Sequence, residues 1–120
     1  MRFEEAVRVG ELALAMSGRH PWAMATLAVT FADWGKPADA EALYAELAAR
    51  GWRSYVPPSV LAVAAAAAGL EDEAIRHARE ACEIRDPFSI AMFSRWWWPC
   101  NARLRAYPRF CDLLVGTGLE

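Results

Sequence analysis

Gly35 and Gly69 stand thirty-four residues apart, and other residues share that offset. Leu27 and Leu61 do, as do Ala28 and Ala62, and Ala40 and Ala74. Ala40 follows Asp39 and Ala74 follows Glu73; one period earlier the acid–alanine pair is Glu5-Ala6. Self-similarity at a fixed period of this length marks a repeated supersecondary unit. One such unit cannot bury its apolar face alone, so successive units must stack. Nothing else in the chain restricts its fold as strongly.

Within each period the apolar residues recur at three and four, the helical spacing, and no strand-like alternation is sustained. Proline and glycine punctuate the pattern at His20-Pro21, Gly35-Lys36-Pro37, Gly51, Pro57-Pro58, Gly69, Asp86-Pro87, Pro99 and Pro108. Proline suits a helix's first turn, where the missing N–H costs nothing. The spacing predicts helices over 3–17, 21–34, 37–50, 57–68, 71–85, 87–94 and 108–115. Short connections imply antiparallel neighbours. The second helix of each unit carries a matched stripe: Ala6, Gly10, Ala13; Ala40, Tyr44, Leu47; Ala74, Ala78, Ala81. The run Ala64–Ala68 lies between two such helices. Alanine there combines the best helix propensity with no bulk to hold neighbours apart.

The totals agree. The chain has 120 residues, 56% apolar and 23% charged, which describes one globular domain. A net charge of −2 disfavours a general nucleic-acid binder, which needs a basic face. Lys36 is the sole lysine. Cys82, Cys100 and Cys111 are odd in number and lack paired spacing, as expected in a reducing compartment. Glu4, Glu5 and Glu11 interrupt the place where an export signal would be apolar, and no run reaches membrane-spanning length. Cytoplasmic localisation, with no membrane association, is the expectation.

Leu27-Ala28, Phe31, Gly35, Ala40, Tyr44 and Leu47 stand at the places that define the tetratricopeptide repeat, which this segment resembles. Leu61-Ala62, Ala65, Gly69, Ala74, Ala78 and Ala81 match in the same register, with alanine replacing both aromatics; Pro87 stands one place later than the family's inter-unit proline. The resemblance implies an all-α fold of antiparallel helix-turn-helix repeats. This would be a tetratricopeptide-like α-solenoid of about two and a half repeats with a C-terminal capping helix. It divides a single domain, 1–120, into a half repeat over 3–18, repeats over 21–54 and 55–87, and a cap over 88–120.

The register fails after Pro87: one period beyond Leu61-Ala62 stand Arg95-Trp96. Pro99, Leu104-Arg105, Pro108-Arg109-Phe110 and Leu113-Leu114 resemble a closing segment common after such arrays in bacterial proteins. Asp86-Pro87-Phe88, which opens the preceding helix, also fits it. Phe110, Leu113 and Leu114 share one helical face and should dock on the preceding helices. Asn101 occupies a place where that segment often has an aromatic, so Trp97 or Trp98 is expected to fill it. Three consecutive tryptophans cannot share one face. At least one of Trp96, Trp97 and Trp98 therefore stays accessible.

By resemblance the chain is a non-enzymatic protein–protein interaction or scaffold module that binds a peptide or protein partner. The family's groove positions fall on Trp22, Ala25, Val29, Ala32 and Asp33, and on Val56, Ser59, Val63, Ala66 and Ala67. Chaperone-binding members carry lysine and asparagine there to clamp a carboxylate. Here those places hold Ala25, Thr26 and Val29, and Ser59, Val60 and Val63, which implies a shallow apolar groove. It suits an apolar peptide, another copy, or the protein's own tail. The leading half repeat leaves a second apolar face, with Phe3, Val7 and Leu14, and with Trp96 a further candidate for self-association. Either the chain is a homodimer or other homo-oligomer, or it is part of a longer chain. The alternative is an RNA- or single-stranded-DNA-binding module using Arg95, Arg103, Arg105 and Arg109 with Trp96, Trp97, Trp98, Tyr107 and Phe110. The plainer account of those arginines is capping, paired to acids such as Glu83 and Asp86 or solvated. His20 is expected in a loop, His77 on a solvent face and Cys82 on a packed stripe. No catalytic constellation, metal set or cofactor motif is found.

Overall fold

Proline begins helices throughout this chain. In a computed structural model describing residues 2–50, 55–94 and 101–119, Pro21, Pro37, Pro58 and Pro108 each open a helix. The described residues form α1 (Phe3–Ser17), α2 (Pro21–Asp33), α3 (Pro37–Arg50), α4 (Pro58–Ala67), α5 (Glu71–Glu83), α6 (Ser89–Met92), α7 (Ala102–Arg105) and α8 (Pro108–Leu114). No strand occurs among them.

The thirty-four-residue period reappears as geometry. Gly35 and Gly69 have φ of 76° and 80°, the left-handed region that glycine enters without strain. Gly35 N–H donates to Ala32 O and Lys36 N–H to Phe31 O; Gly69 N–H donates to Ala66 O and Leu70 N–H to Ala65 O. One helix-ending turn is thus built twice in register, satisfying the last carbonyls of α2 and α4. Ala40 and Ala74, just beyond, are both fully buried.

Packing follows chain order. Each helix from α1 to α5 lies against the next, and α2 also reaches α4. α6 and α7 cover α4, and α8 covers α5. All ten residues of α4 are buried, since α2, α3, α5, α6 and α7 surround it. That is the physical use of its alanines. Helix axes approach to roughly 8–10 Å depending on the side chains at the contact, and large residues on every side of α4 would force its neighbours apart. Bulk comes instead from Phe93 and Phe110, whose rings meet edge-on at 5.0 Å, and from Met24, Leu47, Met92 and Leu104. At Gly10 a Cβ would lie 2.8 Å from Leu27 Cδ1, so α1 and α2 approach closely there. Ala13, expected on the same packed stripe, is exposed.

α4 starts at Pro57-Pro58 and has no side-chain cap of its own. Asp86 supplies one from twenty-seven residues away. Its Oδ2 accepts from Ser59 N–H at 2.9 Å and from Ser59 Oγ at 2.7 Å, while Oδ1 accepts from Phe88 N–H at 2.9 Å. The carboxylate is buried at the positive end of α4's dipole, so charge and hydrogen bonds reinforce each other.

The tail departs from the expected helices. Only Ser89–Met92 of the expected helix 87–94 is α-helical, because Pro87 and Phe88 form a turn on Asp86. α7 was not expected. Asn101 is buried and donates Nδ2 to Met92 O at 3.0 Å and Ser94 O at 2.7 Å, anchoring the chain where α7 begins. Tyr107, before Pro108, is extended as that position requires, and it separates α7 from α8. Phe110 and Leu114 are buried and Leu113 is half-buried, as the shared face predicts. The region of Arg95 and the three tryptophans, and with it the expected burial of Trp97 or Trp98, lies outside the described residues.

Asp86→Ala should lower the unfolding free energy by about 3 kcal/mol, because it strips a charged acceptor from two buried donors of Ser59 and the part-buried Phe88 N–H. Gly35→Ala and Gly69→Ala meet no atom within 4 Å and should each lose about 1 kcal/mol from the backbone alone. Urea denaturation of the three variants checks both figures.

Candidate interaction surfaces

The expected groove begins on α2 and α4, and the chain itself occupies most of it. Ala25, Val29, Ser59, Val63 and Ala66 are buried, as are Val56 and Ala67. They cannot present a surface to a partner in this fold. On α4 part of that burial comes from α6 and α7, which pack against it. Trp22 is half-buried with its ring edge-on to Phe88 at 5.8 Å, and Asp33 takes Arg103 at 2.6 Å. What stays open is one end, a depression of about 520 Å³ floored by Ala32, Ala66 and Ala68 and walled by Arg103 and Tyr107. Tail residues touch this region at three places: α6 and α7 on α4, Phe88 on Trp22, and Arg103 on Asp33.

The N-terminal helix also differs from expectation. Val7 and Leu14 are buried, and Phe3 stacks on Trp34 with centroids 6.2 Å apart and planes 16° from parallel. Their stripe therefore packs on α2. The exposed apolar face is the opposite one, Val9, Leu12 and Met16, at 66%, 58% and 79% exposure. These three stand at i, i+3 and i+7, one side of a helix. The spacing was legible in the sequence. Which of α1's two stripes faces inward was not, because the choice depends on where α2 docks. Lys36 sits 3.7 Å over the Trp34 ring and closes the Phe3–Trp34 stack with a cation–π contact.

The described arginines of the tail are engaged within the chain, though not with the expected acids. Arg103 binds Asp33, and Arg109 binds Asp72 at 3.0 Å with Glu71 at 3.9 Å. Arg105 donates to Phe93 O and to Leu119 O, holding the C-terminal turn against the core. Asp86 is taken up by Ser59 and Phe88 and pairs with no arginine among the described residues. Three of the four arginines proposed for a nucleic-acid platform are thus engaged; Arg95 lies outside the described residues.

His77 is buried rather than solvated. Its Nε2 shares a hydrogen bond with Tyr44 Oη at 2.8 Å, tying α5 to α3 across one repeat. Burial, and then Arg76, push its pKa below the ordinary imidazole value, against an opposing pull from Glu73. Burial raises Tyr44 to about 12, so the phenol stays neutral. His20 caps α2 through Nδ1, which accepts Trp22 N–H at 3.1 Å. The Cys82 thiol is half-buried, and burial followed by Glu83 pushes its pKa up, opposite to what a nucleophile needs. Among the described residues no three His, Cys, Asp or Glu side chains are grouped to hold a metal. Nor is any described helix long and apolar enough to cross a membrane. No family model, curated protein or solved structure matches the chain.

His77 sets a pH dependence. Its folded pKa is depressed, so the unfolded chain binds more protons between that value and about 6.5. The stability of the neutral form is complete above about 6.5 and is lost as pH falls below it. The urea midpoint should therefore drop between about pH 7 and about pH 5.5 more steeply in the wild type than in His77→Gln.

Proposed function

We propose that this chain is a non-enzymatic interaction module of tetratricopeptide type, working through the outer face of α1. The observation that carries the reading is the row Val9, Leu12 and Met16, large apolar side chains exposed on a helix whose other face is already committed to the core. A soluble domain keeps such a row where a second surface covers it. The repeat part is supported by the twin turns at Gly35 and Gly69, by the sequential packing, and by the contact of α2 with α4. Stacked repeats use their end faces to join further elements. The expected groove residues are largely buried, whereas Val9, Leu12 and Met16 stand open together on one helix. Engagement of Arg103, Arg105 and Arg109 within the chain weighs against the nucleic-acid alternative. Cytoplasmic residence remains part of the same proposal.

A photocrosslinking residue, p-benzoylphenylalanine, in place of Leu12 should give discrete protein adducts in cells. The same residue in place of exposed Ala49 on α3 should give none. Val9→Glu should abolish the Leu12 adducts. Absence of any adduct from Leu12 overturns the reading.

A further inference from the structure

We draw no further inference here: the strongest candidate, the buried side-chain cluster of Tyr44 and His77 between α3 and α5, whose His77 Nδ1 has no hydrogen-bond partner among the described residues, restates the acid-dependent stability already derived from His77.

Discussion

The structure depends on one helix being surrounded. α4 has neighbours on every side, and a helix in that position must be thin. Five alanines in a row keep it so. Small residues contribute little transfer free energy each, on the order of 0.8 kcal/mol per buried CH₂. Their contribution is distance, since they let the surrounding helices approach α4 closely. The cost falls at the helix's start, where two prolines provide no cap. Asp86 meets it from the far end of the same repeat and thereby fixes where α5 ends relative to where α4 begins. Local helix formation and repeat stacking are coupled through that carboxylate.

The same crowding accounts for the tail. The register of thirty-four breaks after Pro87, yet α6 still takes the place beside α4 that a further first helix would have. It is shortened to Ser89–Met92, and α7 lies over α4 as well. Arg103 then reaches from α7 back to Asp33 at the end of α2, while Arg105 gathers the carbonyls of Phe93 and Leu119. Exposed pairs such as Arg103–Asp33 each contribute little, roughly 0.2–1 kcal/mol. Their effect is to set the position of a segment whose binding energy comes from Phe93, Leu104 and Phe110. Ala25, Val29, Ser59, Val63 and Ala66 are thereby interior, and exposed apolar residues such as Val9, Leu12, Met16, Ile84, Ile90 and Val115 stand on α1 and toward the C-terminal side.

Legibility followed the range of each interaction. Helix starts at Pro21, Pro37 and Pro108, the start at Pro58 to within one residue, and the turns at Gly35 and Gly69 were readable because proline and glycine act on their own backbone. The inward face of α8 was readable from Phe110, Leu113 and Leu114, since spacing within one helix suffices. α7 was missed because its anchor, Asn101, works by reaching Met92 and Ser94, and no local pattern announces that. His77 read as a surface residue among Arg76, Arg79 and Glu80. It is buried because Tyr44 offers a hydrogen bond one repeat away.

The sequence by itself determined that this chain is helical, where most helices begin and end, and that two units repeat at thirty-four residues. All of these rest on forces acting within a few residues or on self-similarity visible in one dimension. Tertiary structure alone decided which stripe of α1 stays outside, which acids the described arginines take, and that α6 and α7 pack on α4. Those outcomes come from competition between surfaces for the same neighbour. Phe3, Val7 and Leu14 and the row Val9, Leu12 and Met16 are both plausible core faces by spacing, and only the position of α2 chooses between them.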